Sequence, residues 1–150
     1  MVDLTQRLHG WGYQGRDVQD LIDFAQHVSA TVVVDVRLTP MSRRYGFSKR
    51  RLSDALAAAG LTYLHLPALG NPRDNRPGFA EPATPAGKAA HARFRSEVLD
   101  TPEAGDAIEQ VERLAEMTNL IVLCFEADQT TCHRSLVIDE LERRRALVPA

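Results

Sequence analysis

Two short runs gather side chains able to bind or transfer charged groups. "CFEADQTTCHR", Cys124 to Arg134, carries two thiols, two carboxylates, an imidazole and a guanidinium. "VDVRLTPMSRR", Val34 to Arg44, carries Asp35, Arg37, Ser42 and Arg43. A thiol in the first turn of a helix, beside His133 and Arg134, sits where its pKa falls and its thiolate is stabilised, so Cys132 is a candidate nucleophile or sulfur carrier. The run "CHR" leaves no arc of residues between cysteine and arginine to wrap a phosphate, and no rhodanese-type loop is evident. Glu126 offers a different chemistry: general base, or nucleophile in glycosyl transfer to or from a nucleotide, with Asp35 as partner and Tyr63 or His65 supplying a hydrogen bond. A salt bridge from Glu126 to Arg134 or Arg37 is the competing account, and His65 reads first as an ordinary hydrogen-bonded histidine. Cys124, Cys132 and His133 are three soft metal ligands, but their spacing matches no zinc module and Cys124 lies in an apolar run. No metal is therefore expected, and Cys124 reads as a small core residue.

Buried strands must position these groups. "ATVVVDV" (Ala30 to Val36) and "NLIVLCF" (Asn119 to Phe125) are continuous, largely β-branched or aliphatic runs, as in parallel strands covered on both faces. "LTYLHL" (Leu61 to Leu66) and "LHGWGY" (Leu8 to Tyr13) read as two more. Helical patterns occupy Arg16 to Val28, Lys49 to Ala59, Pro85 to Leu99, Pro102 to Met117 and Cys132 to Arg145. The alternation predicts a single three-layer α/β domain over residues 1–150, with a mainly parallel sheet of about four to five strands and helices on both faces. Ligands in such folds bind outside the carboxyl ends of the strands. The Pro- and Gly-rich connection over residues 67–87 starts from that edge, so it is expected to be a functional lid or to be disordered.

Helix starts sharpen the site. Free N–H groups and the helix dipole favour acidic residues there, and two helices comply: Asp17 and Asp20 open the first, and Thr101, Pro102 and Glu103 the fourth. Two disobey. Ser48 is the expected cap of a helix opening Lys49, Arg50, Arg51, and Thr131 the expected cap of one opening Cys132, His133, Arg134. Arg134 shares a helical face with Val137, Ile138 and Leu141, which places it on the core side near the strand ends. Two accounts of these basic starts stand open. An anionic ligand group at the helix N-termini compensates them, or Asp35 and Glu126 hold Arg37 and Arg134 in internal salt bridges.

Composition bounds the rest. The net charge of −2 excludes a wholly basic nucleic-acid binder. Residues 35–51 nevertheless carry six basic groups against one acid, a local charge of +5 that leaves −7 elsewhere. With Tyr45 and Phe47 interleaved, segment 43–51 is a candidate nucleic-acid grip, second in rank to a small anionic or nucleotide-like ligand. No apolar run reaches the ~18 residues of a membrane span, and the first residues lack a signal-peptide core. Two cysteines make no disulfide framework, so a reducing, cytoplasmic setting is expected. Cofactor and oligomeric state stay open.

The blocks "VVVDVRLTPMSRRYGFSKRRLSDALAAAGLTYLHLPALGNP" and "IVLCFEADQTTCHRSLVIDEL" resemble the two signature blocks of the bacterial family known as domain of unknown function 488. The shared pattern is D-V-R, P-x-S, G-F-S-K, an aliphatic-Tyr strand, Leu-Gly, then C-x-E and C-H-R, spanning about Thr31 to Leu141. The resemblance implies a compact α/β domain and points to Asp35, Arg37, Ser42, Glu126, Cys132, His133 and Arg134 as site residues. It supplies no activity. Members often carry T-I-G-H-S after the first strand, where this chain has "LHGWGYQGRD", Leu8 to Asp17.

Overall fold

The computed structural model describes residues 6–146. Four strands among them, β1 (Leu8–Gly12), β2 (Ala30–Asp35), β3 (Thr62–His65) and β4 (Asn119–Cys124), form one all-parallel sheet in the order β1-β4-β2-β3. Gly12 pairs with Cys124 across β1 and β4, Asp35 with Leu123 across β2 and β4, and Asp35 with His65 across β2 and β3. The carboxyl ends of all four strands therefore share one edge.

Strand alternation decides which chemistry faces which layer. Val32, Val34, Leu120, Val122 and Cys124 point to one face, with Phe94, Ile108, Val111, Val137 and Leu141 from the helices above them. Val33, Ile121 and Leu123 point to the other, against Leu21, Leu52 and Leu56. The first face is covered by α3 (Pro85–Phe94), α4 (Pro102–Ala115) and α5 (Arg134–Ala146), the second by α1 (Val18–His27) and α2 (Lys49–Ala58). This is the expected three-layer α/β arrangement. The chain leaves β2 towards one face and β4 towards the other, and these strands are neighbours, so the crevice between their ends is a topological switch point.

The helix boundaries follow local chemistry. Asp17 caps α1 in a reciprocal capping box with Asp20, and Thr101 caps α4 ahead of Pro102. α3 runs on into a π-helical turn at Arg95–Leu99, within the single helix expected there. Two expectations need correction. Ser48 occupies the N-cap position of α2, but its hydroxyl donates to Ser42 O rather than capping the helix. The last helix starts at Arg134, not Cys132: Thr131 closes a 3-10 turn at Gln129–Thr131, with its hydroxyl donating to Asp128 O, and Cys132 is extended.

The connection over residues 67–87 is folded, neither disordered nor an open lid. It makes 3-10 turns at Pro67–Leu69, Arg73–Asn75 and Pro77–Ala80 that bury Leu69, Asn75 and Phe79. Asn75 Nδ2 donates to Asn71 Oδ1 and to Ala90 O, both at 3.0 Å, which fastens the segment to α3. Its prolines stop each turn from growing into an α-helix.

Candidate functional site at the carboxyl edge

Most of the residues singled out by their chemistry gather at the carboxyl edge, but in two clusters on opposite faces. On the α1/α2 face, Asp35 is fully buried and grips Arg37 with both oxygens: Nε donates to Oδ1 at 2.9 Å and Nη2 to Oδ2 at 2.7 Å. Arg37 Nη1 donates to Phe47 O at 2.6 Å and to the Tyr13 hydroxyl at 3.4 Å. The Tyr63 hydroxyl donates to Asp35 Oδ2 at 2.6 Å, and His65 Nε2 lies 2.8 Å from Arg37 O, to which it can only donate. Burial works to lower the Arg37 guanidinium, but the Asp35 carboxylate outweighs it and the net shift is upward. Burial and the hydrogen bond to Asp35 hold the Tyr63 phenol above its usual range. This is a saturated network with little capacity for a ligand.

On the other face, Arg134 is 1% exposed, as its helical position predicts. None of its partners is a carboxylate. Nε donates to Gln129 Oε1 (2.6 Å), Nη1 to Glu126 O (2.6 Å) and to Cys124 Sγ (3.2 Å), and Nη2 to Ala127 O (3.4 Å). The salt bridge between Arg134 and Glu126, one of the accounts left open by the sequence, is absent; the guanidinium takes the main-chain oxygen of Glu126, not its carboxylate. Burial pushes this guanidinium below the usual arginine range, with Glu126 at longer range pulling it back. Gly12 explains how the Glu126–Ala127 backbone reaches Arg134: a Cβ there would collide with Glu126 O.

Cys132 and His133 complete this second cluster. His133 Nε2 donates to Val36 O at 2.7 Å, tying the two clusters together across the sheet edge, and its Nδ1 lies 3.7 Å from Cys132 Sγ. Burial pushes His133 down to about 4, against the upward pull of its bond to Val36. Cys124 and Cys132 are each 1% exposed and their sulfurs are in bonding contact. Among the described residues no cysteine is free, which corrects the expectation of two independent thiols with Cys132 as the open nucleophile.

A cavity of about 310 Å³ lies at the switch point between these clusters. Its walls include Arg37 and Thr39 after β2, Glu126 and His133 after β4, and Asn71, Arg76 and Phe79 from the long connection. That connection thus forms one wall of the cavity. Of the residues singled out in the sequence, Arg37, Glu126 and His133 line the cavity; Asp35, Ser42, Arg43, Tyr63, His65, Cys132 and Arg134 do not. Ser42 serves a local turn, its hydroxyl accepting from the Arg44 amide at 3.0 Å, and Arg43 is exposed. Arg76 was missed by sequence reasoning. Its Nε donates to Asn71 O at 3.3 Å, and among the described residues no carboxylate pairs with it. The signal available was the charge of an arginine inside the one long connection leaving the ligand edge.

The basic segment 43–51 divides differently from expectation. Tyr45 is exposed with Arg51 stacked over its ring at 4.9 Å, whereas Phe47 is fully buried and stacks on Tyr13 at 4.5 Å. Only one of the two interleaved aromatics is open to a base.

A four-stranded parallel sheet covered by helices on both faces defines a three-layer α/β protein. The family model for the domain of unknown function DUF488 matches residues 17–141, and the chain belongs to that family. No curated protein and no solved structure matches the chain. Among the described residues no helix is long and apolar enough to cross a membrane.

Proposed function

We propose that the carboxyl-edge cavity is the ligand site of a small enzyme acting on a nucleotide-like or otherwise phosphorylated substrate. Arg76 is the cation that meets the anionic group, and Glu126 is the reactive carboxylate. The observation that carries this reading is the unpaired Arg76 guanidinium on the wall of a cavity that also holds Glu126. Arg37 and Arg134, first in line from sequence, do not serve: their donors are taken by protein acceptors. Asp35 is likewise enclosed and acts by fixing Arg37 in the cavity wall. Thr39 and Asn71 supply neutral donors and acceptors around the anion, which suits an oxygen-rich group. The cytoplasm, the setting expected from composition, would supply such substrates.

Thermal unfolding with and without inorganic phosphate or a nucleoside monophosphate tests the reading. A ligand at a hundred times its Kd stabilises the folded state by about 2.7 kcal/mol. Arg76→Ala should abolish that rise while changing the stability of the free protein by no more than about 0.5 kcal/mol, as expected for an exposed side chain. Phosphate and nucleotide that leave the wild-type midpoint unmoved would overturn it. Nucleic acid bound with steep salt dependence through Tyr45 and Arg51, with no effect of mononucleotides, would favour the segment 43–51 instead.

A further inference from the structure

The ligand-capable atoms of Cys124, Cys132 and His133 all lie within 4.8 Å of one another, at the cavity end of β4 and the turn that follows it. Spacing in the sequence gave no sign of this, because Cys124 ends a strand while Cys132 and His133 lie past a 3-10 turn that folds back over it. We propose that, in its dithiol form, this trio is a binding site for a borderline-soft divalent cation such as zinc, with an open coordination position towards the cavity.

Four observations independent of any phosphate ligand support the assignment. The donor set is two thiolates and an imidazole, which is the set such a cation selects when three protein ligands leave a fourth position open. The imidazole is oriented from behind: Nε2 must carry the proton, since it faces Val36 O at 2.7 Å, and this leaves the lone pair on Nδ1, the nitrogen nearer Cys132 Sγ at 3.7 Å. A backbone carbonyl that fixes the far nitrogen is the usual support of a metal-bound histidine. The backbone spaces the cysteines for a bridging ion, with their Cα atoms 7.4 Å apart; disulfides mostly span about 4.4–6.8 Å. Two thiolates on one tetrahedral cation need their sulfurs roughly 3.8 Å apart, from bonds of about 2.3 Å.

The charges also balance. Arg134 has no carboxylate partner and aims Nη1 at Cys124 Sγ from 3.2 Å, so it meets a thiolate better than a neutral sulfur. The carboxylate of Glu126 stands on the cavity wall with Oε2 3.6 Å from the same sulfur. Two thiolates, one divalent cation, one guanidinium and one carboxylate sum to zero. Glu126 then stands beside the open position, where it can take a proton from a molecule bound there.

The dithiol form is reached by a two-electron reduction. A phosphine reductant attacks one sulfur, the sulfur–sulfur bond breaks, and water delivers an oxygen to the phosphine and two protons to the thiols. Cation binding then displaces those two protons.

The experiment uses the full chain, reduced with a phosphine under anaerobic conditions and titrated with cobalt(II) alone as a spectroscopic stand-in for zinc. The expected result is one equivalent bound, with thiolate-to-cobalt charge-transfer absorption and the intense visible bands of a tetrahedral centre. His133→Gln should weaken binding by at least tenfold to a hundredfold, and Cys132→Ser should remove most of the charge-transfer band. Exposed His27→Gln should change neither. Circular dichroism establishes that each variant is folded. The proposal is overturned by cobalt that binds without charge-transfer absorption, by binding indifferent to His133→Gln, or by a reduced, folded protein with two titratable thiols and no cobalt uptake. Because no phosphate or nucleotide takes part, failure here is separate from failure of Arg76 as an anion site.

Discussion

Arg37 and Arg134 are both buried at the same edge of the sheet, and they are neutralised in different ways. Arg37 meets a carboxylate in a two-point grip, with Tyr63, Tyr13 and Phe47 O completing the shell. Arg134 meets only main-chain oxygens, an amide oxygen and a sulfur. A closed ion pair is a structural element, since no charge is left over to attract a ligand. A guanidinium that lacks a carboxylate keeps its field, and the Cys124 sulfur beside it can answer that field once it is reduced to a thiolate. The chemistry is therefore expected on the Arg134 side, with the Arg37 side as the frame that holds Val36 O against His133.

The largest effect separating the two comes from Asp35→Asn. It leaves a buried guanidinium without its counter-charge and should destabilise the protein by about 3–5 kcal/mol, read as the loss of free energy in urea unfolding. A second substitution, Arg37→Met, should restore part of that loss, because the cation left unpaired is then gone. A smaller loss is expected from Arg134→Met, about 1–3 kcal/mol, since the residue removed is a charge that had no carboxylate to abandon. Equal losses from Asp35→Asn and Arg134→Met would erase the distinction between the two arginines.

Much of the architecture was legible because its signals are local. The runs "ATVVVDV" and "NLIVLCF" are apolar on both faces, and only a strand sandwiched between helix layers tolerates that pattern. The burial of Arg134 followed from its spacing to Val137 and Leu141. What could not be read were choices of partner. Asp35 ends β2 and Arg37 follows two residues later, so their pairing was among the accounts left open. The parity of Cys124 was visible too, but the turn at Gln129–Thr131 that returns Cys132 to it depends on how loop 125–133 packs over Gly12. Arg76 joined the cavity only because three 3-10 turns fold residues 67–80 against α3 and α4, and turns of that length carry little sequence signature.

The smallest effect probes how completely the Arg37 side is closed. Tyr63→Phe removes one hydrogen bond to an ionised carboxylate and should destabilise the protein by about 1–2 kcal/mol at neutral pH. The pH dependence makes the test specific. Burial and the bond to Asp35 hold the folded-state phenol above its usual value, so the unfolded chain loses this proton first as the pH rises past about 10. Unfolding then releases a proton, the stabilisation present below that pH is progressively lost, and the wild-type curve falls towards that of Tyr63→Phe, which has no proton to release at this position. Urea midpoints measured from pH 8 upwards at matched ionic strength should converge. A gap that stays constant across that range would mean that Tyr63 is not locked onto Asp35 in the folded protein, and that the ion pair on this side is open to solvent and to ligands after all.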